Sequence, residues 1–190
     1  MRSIYALLFA GLIFCGSFLH SDPPSTLGYA IHPSKFDTPF PSSAQVKLKR
    51  LVESSKDVSL LRGSLNLPTG IYRLSYGVDL QNIGGDGMIR TWLTFQTSPL
   101  EPPTVIPFST RHFAVAAADG DVGFSLVQVF ASLYFAWNTN FLVSIHYSTT
   151  GDVNLTTLPC ITPCCHVPTI NVFTKPPVPF YLNALRFKTS

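Results

Sequence analysis

Ten residues in the middle of the chain, Ile71 to Leu80, alternate with a period of two. Tyr72, Leu74, Tyr76, Val78 and Leu80 fall on one side, and Arg73, Ser75, Gly77 and Asp79 on the other. That period belongs to a β-strand with one buried face; a helix would scatter these side chains around its whole circumference. Pro68-Thr69-Gly70 supplies a turn before the strand, and Gly84-Gly85-Asp86-Gly87 supplies one after it. Met88 to Thr97 alternates again, with Ile89, Leu93 and Phe95 opposite Arg90, Trp92 and Gln96.

The same reading extends along the chain. Prolines 99, 102, 103 and 107 break the next stretch. His112–Ala118 and Asp121–Phe130 then form two runs joined by Asp119-Gly120, a hairpin signal. In the second run Val122, Phe124 and Leu126 share one face, while Val127 and Val129 make the other face apolar too. Such a strand is covered on both sides, within a sandwich or under a neighbouring subunit. Phe141–Tyr147, a short run Thr169–Thr174 and a closing strand Phe180–Lys188 follow. No long amphipathic helix and no internal repeat interrupts the series. Short strands separated by turns predict an all-β fold, an antiparallel β-sandwich of jelly-roll type over residues 46–190.

The flanks read differently. Met1-Arg2 followed by the apolar stretch Ile4–Cys15 and small residues has the layout of a secretory signal peptide, taken here as residues 1–21 with cleavage after Ser17 or Ser21. The apolar stretch is short of the roughly 20 residues needed to span a bilayer. Residues 22–45 carry five prolines and read as an extended Pro/Ser-rich arm. Residues 46–61 fit a short helix or an edge strand equally well. Residues 148–190 are either part of the sandwich or a Pro/Cys-rich C-terminal extension. The expected location is secreted or at the cell surface.

Composition narrows the function. Charged residues are 12% of the chain and aromatics 13%, with a net charge of +3. The charged share is about half the usual value near 25%, so the surface is unusually apolar. Monomers seldom expose large contiguous apolar patches; the mismatch predicts partner chains. The basic residues form no dense stripe with stacking aromatics, which argues against nucleic acid as partner.

One stretch resembles a known family. Leu67-Pro68-Thr69-Gly70-Ile71-Tyr72-Arg73-Leu74-Ser75-Tyr76-Gly77-Val78-Asp79-Leu80 is similar to a turn-and-strand motif of the globular domain shared by complement C1q, tumour necrosis factor and the C-terminal heads of bacterial collagen-like surface proteins. Phe113-Ala114-Val115 leading to Ala118-Asp119-Gly120-Asp121-Val122 resembles the family's strand, Gly-Asp turn and apolar strand. The resemblance covers residues 64–130. It implies a ten-strand jelly roll that packs as a homotrimer around an aromatic, apolar axis. On that expectation Tyr72, Tyr76, Trp92, Phe124 and Phe130 are core or interface residues. Separately, the lack of a convincing catalytic constellation leads to the expectation of no enzymatic activity and no cofactor. No Gly-x-y stalk precedes the domain here.

The remaining candidates are chemical. Cys160, Cys164, Cys165 and His166 lie within seven residues. Zinc uses such ligands, but usually in separated pairs. In an exported chain a disulfide of Cys160 with Cys164 or Cys165 is the expected state, with the odd thiol open to linking chains. His112 and His146 sit on strands, and no Gly-x-Ser-x-Gly elbow accompanies them. Asp119-Gly120-Asp121 reads as a turn, with too few carboxylates for calcium. Asn154-Leu155-Thr156 is a glycosylation sequon. These residues predict an exported, non-enzymatic structural or interaction protein with a protein or glycan ligand. Two rival expectations are a carbohydrate-binding module using a row of Trp92, Trp137 and Tyr134, and a secreted hydrolase that joins His112 or His146 to an acid.

Overall fold

Where the alternation is clean, over Ile71–Leu80 and Met88–Thr97, strands form as it predicts, and the first extends beyond its run at both ends. The computed structural model of the chain describes residues 25–32, 40–121, 123–156 and 179–187. These residues form β1 (Ser25–His32), β2 (Ser43–Gln45), β3 (Arg50–Ser54), β4 (Ser59–Leu61), β5 (Ser64–Leu67), β6 (Gly70–Asn82) and β7 (Gly87–Gln96). They continue with β8 (Thr104–Val105), β9 (Arg111–Val115), β10 (Ser125–Trp137), β11 (Phe141–Gly151), β12 (Leu155–Thr156) and β13 (Phe180–Phe187). No helix occurs among the described residues.

Eight of these strands carry the architecture: β1, β5, β6, β7, β9, β10, β11 and β13. In chain order the first pairs with the last, β1 on β13. The second pairs with the seventh, β5 on β11. The third pairs with the sixth, β6 on β10, and the fourth with the fifth, β7 on β9. All these pairs are antiparallel. Nested pairing of this kind is one long hairpin rolled up on itself, which is a jelly roll. Rolling splits it into two sheets. The first has the order β10-β6-β13-β1-β3, with β12 also on β6. The second has the order β4-β5-β11-β7-β8, with β2 on β11 and β9 on β7.

The inward faces build one core. Tyr72, Leu74, Tyr76, Val78 and Leu80 of β6 are all buried, as their alternation predicts. They meet Ile89 and Leu93 of β7 and Phe141, Val143, Ile145 and Tyr147 of β11. Tyr72 packs edge-on to Phe141 at 5.5 Å, and its hydroxyl donates to the Pro68 carbonyl at 2.6 Å. Between β4 and β5, Arg62 and Gly63 have φ of 52° and 83°. Two consecutive positive values make the tight turn that right-twisted hairpins favour.

Several expectations change. Residues 22–45, read as an extended arm, supply β1 and β2 to the sandwich instead. The prolines that suggested an arm flank Ser25–His32 without entering it. The ambiguous stretch 46–61 contains β3 and β4 and no helix. The strand expected over Asp121–Phe130 starts at Ser125 and runs on to Trp137. It is buried on one face only: Val127, Val129, Ala131 and Leu133 face the core. Within 148–190, β13 lies between β6 and β1, so this part of the C-terminal segment is core and not an appendage. The signal segment 1–21, the cysteines Cys160, Cys164 and Cys165 with His166, and the run Thr169–Thr174 lie outside the described residues.

Candidate interaction surface

Once the even-numbered side chains of β6 point inward, the odd-numbered ones must form the outer face of the first sheet. The register then fixes who stands beside whom. Phe130 of β10, Gly77 of β6 and Tyr181 of β13 form one row across the sheet. Tyr134, Arg73 and Leu185 form another, and Ser132, Ser75 and Asn183 lie between them.

Aromatic groups flank a polar middle. A Cβ at residue 77 would lie 2.2 Å from the Tyr181 ring, so glycine lets that ring lie flat on the strand. Tyr134 and Phe187 have ring centroids 5.7 Å apart. Between them, Ser132 Oγ is 3.0 Å from Ser75 Oγ and accepts from Arg73 Nε at 3.0 Å. Asn183 Oδ1, in the same row, is buried with no hydrogen-bond donor among the described residues. Gln128 donates to Asp79 at 3.3 Å. A cleft of about 360 Å³ opens beside Phe130 and Tyr181, with Gln128 and Asp79 in its wall.

The edge of this sheet is unusual. β10 is its terminal strand, pairing with β6 over 13 residues without a bulge. Its sequence, Ser125 to Trp137, holds no charged residue and no proline. Natural edge strands are normally protected by lysine, proline or a bulge. Three large side chains of β10 instead point outward: Leu126 is 65% exposed, Phe130 60% and Tyr134 71%.

Of the residues singled out from sequence, Tyr72 and Tyr76 are in the core, and Phe130 is on this outer face. Phe124 is half-buried just ahead of β10. Trp92 lies elsewhere, on the outer face of the second sheet. There it stacks on His146 at 5.6 Å, with the Arg90 guanidinium 4.8 Å from its ring centre. Tyr134 is on the first sheet's outer face, whereas Trp137 turns toward Phe95 at 4.5 Å. The three aromatics of the expected glycan row therefore stand on three different surfaces.

No hydrolytic triad forms around the histidines described. His146 Nε2 is 3.0 Å from Thr94 Oγ1, and burial pushes its pKa down. Its strand neighbour Ser144 bonds instead to Ser64 at 2.7 Å and to Gln45 at 3.1 Å. His112 is exposed on β9. Asp119 Oδ1 accepts from the Asp121 amide at 2.8 Å, the turn expected there. No group of three His, Cys, Asp or Glu that could hold a metal occurs among the described residues. Asn154 of the sequon is exposed, and Leu155 and Thr156 are buried in β12. No described helix is long and apolar enough to cross a membrane.

No protein-family model matches the chain, and no curated protein does. Among solved structures, Eiger TNF from S. frugiperda is 11% identical to the chain. The match covers 88% of this chain and 96% of that one, with a TM-score of 0.49.

Proposed function

We propose that this chain is an exported, non-enzymatic structural or interaction protein, C1q/TNF-like in build, that works as a homotrimer outside the cell. The observation that carries the proposal is the outer face of the first sheet. Leu126, Phe130 and Tyr134 stand exposed along an edge strand with no protecting charge. Fully burying a large apolar side chain contributes about 1.5–3 kcal/mol. Covering what these three leave exposed would add roughly 3–6 kcal/mol per chain. The edge of β10 and the flat of the sheet are different surfaces, so edge-on-face contact is heterologous and must close into a ring. Three chains around one axis would bring Phe130 and Tyr181 toward that axis. Export rests on Met1-Arg2 and the apolar stretch Ile4–Cys15.

The experiment is multi-angle light scattering of the secreted chain at micromolar concentration. Three protomers per particle are expected, and Phe130→Glu should shift the particle to one protomer while its far-ultraviolet circular dichroism stays that of a β protein. A wild-type chain that stays monomeric at that concentration refutes the proposal.

A further inference from the structure

At the end of the sandwich where β6 begins and β10 finishes, an open cleft of about 610 Å³ contains a cation with no hydrogen-bond or ion-pair partner among the described residues. Its size is in the range of small-ligand sites, about 300–1,000 Å³. The cation is Arg186. It follows Phe180, Leu182 and Ala184 in the inward phase of β13 and pairs across the sheet with Tyr72. The core does not hold it; its side chain runs outward over Gly70. A Cβ at residue 70 would lie 2.7 Å from Arg186 Nε, so glycine makes the room. Arg186 forms no hydrogen bond or ion pair with any described residue.

The rest of the cleft has two characters. Ile71, Ala136 and Trp137 give it an apolar wall, and Phe95 holds the indole in place at 4.5 Å. Asn138 adds a side-chain amide with no partner among the described residues. Thr69 Oγ1 donates to the Trp137 carbonyl at 3.0 Å, which leaves its lone pairs to accept. A planar guanidinium recognises a carboxylate through two parallel hydrogen bonds. An amide and a hydroxyl beside an aromatic wall suit sugar hydroxyls and a sugar's C–H face. The main-chain groups of Ile71 are spent on Ala136 and Phe187, while the outer edge of β10 passes the cleft at Ala136 and Trp137, so peptide binding is the competing outcome that the tripeptide probe below reads.

We propose that this cleft binds a carboxylated sugar, with Arg186 taking the carboxylate, Asn138 and Thr69 the hydroxyls, and Trp137 the apolar face. The site stands apart from the assembly proposal, and failure of one leaves the other in place. The test is saturation-transfer NMR and titration calorimetry of the secreted chain. The probes are 3′-sialyllactose, a glucuronic-acid disaccharide, neutral lactose and an acetylated tripeptide with a free C-terminus. At least one acidic sugar should bind with a dissociation constant of order 1 mM, at least about tenfold tighter than lactose and the tripeptide. Arg186→Gln should reduce it to the lactose level, Arg186→Lys should recover part, and Asn138→Ala should weaken it a few-fold. Thermal transitions and particle mass should match wild type in all three. Equal binding of lactose or of the tripeptide, no binding of either acid, or wild-type affinity in Arg186→Gln overturns the proposal. Should Arg186→Gln fail to fold, Asn138→Ala decides: unchanged affinity there overturns it as well.

Discussion

Tyr76→Phe tests the junction between the two sheets. Tyr76 belongs to β6 in the first sheet and is fully buried. Its hydroxyl donates to the Ser109 carbonyl at 2.7 Å and lies 3.1 Å from Thr91 Oγ1 of β7 in the second sheet. A phenol has one proton, so Thr91 must be the donor in the second bond. Ser109 in turn accepts from the Leu93 amide at 3.1 Å and donates to the Ile106 carbonyl at 2.7 Å. Removing one oxygen strands a buried carbonyl and a buried hydroxyl, and the ring still fills its space. Leaving such groups unpaired costs about 1–3 kcal/mol. For a domain of this size each kcal/mol moves Tm by roughly 2–4 °C, so a loss near 2 kcal/mol lowers Tm by roughly 4–8 °C. The assay is urea unfolding followed by tryptophan fluorescence, at one fixed protein concentration because assembly would make stability concentration-dependent. Thr91→Val in the same background should show a coupling of about 1 kcal/mol. A loss under about 0.5 kcal/mol, or full additivity with Thr91→Val, refutes the bridging role.

Three further outcomes follow from the same structure. Burial lowers the pKa of His146 below 6.5, so the unfolded chain takes up that proton first. Its contribution is fully present above the unfolded value and is lost as pH falls through the folded one. The urea midpoint should therefore drop from pH 7 to pH 5, and His146→Gln should flatten that slope. Burial raises Tyr147 to about 12. Stability should then fall as pH climbs above 10, and absorbance at 295 nm should show one phenol titrating late that Tyr147→Phe removes. Gly63→Ala should destabilise by roughly 1–2 kcal/mol in the same urea assay, because φ is 83° there and a Cβ would lie 2.9 Å from the Lys47 Cα.

Legibility in the sequence followed how one-sided each strand is. β6 was readable because its outward residues are Arg73, Ser75, Gly77 and Asp79, a sharp contrast with the buried tyrosines and leucines. β10 was expected as a strand, but its sidedness was not readable, because Leu126 and Phe130 on the outside are as apolar as Val127 and Val129 within. Alternation disappears when both faces are apolar, and only the register with β6 separates them. β1 was hidden by local proline density, although its window is proline-free. Its place in the sheet depends on β13 at the far end of the chain, and no local pattern encodes such a pairing. Phe130 was found from sequence; Tyr181 was not, since its place on the sheet depends on Gly77 of β6, seven strands earlier in the chain and paired with it only in the fold. Arg186 did leave a signal. It continues the inward phase of Phe180, Leu182 and Ala184, and a charge in that phase has to leave the core or find a partner.

The low charge of the chain now has a location. On the outer faces of β6, β10 and β13 only Arg73 and Asp79 are charged. Both are engaged sideways, Arg73 with Ser132 and Asp79 with Gln128. Four acids lie elsewhere, in the turns at one end of the sandwich: Asp86, Asp119, Asp121 and Asp152. Charge is sparse on the outward positions of these three strands, while β3 at the far edge of the same sheet carries Arg50 and Glu53. A face that only met water would gain solubility from charges and lose nothing by carrying them. A face that meets another protein surface must desolvate each charge it carries, which costs more than weak pairing returns. The sparseness fits the interface proposed above. It also makes the assembly prediction sharper than composition alone could: introducing Lys at Phe130 or Tyr134 should break the particle, whereas Lys at Asp119, on the acidic end, should leave its mass unchanged in the same light-scattering measurement. Equal effects at the two places would show that the bare face is not where chains meet.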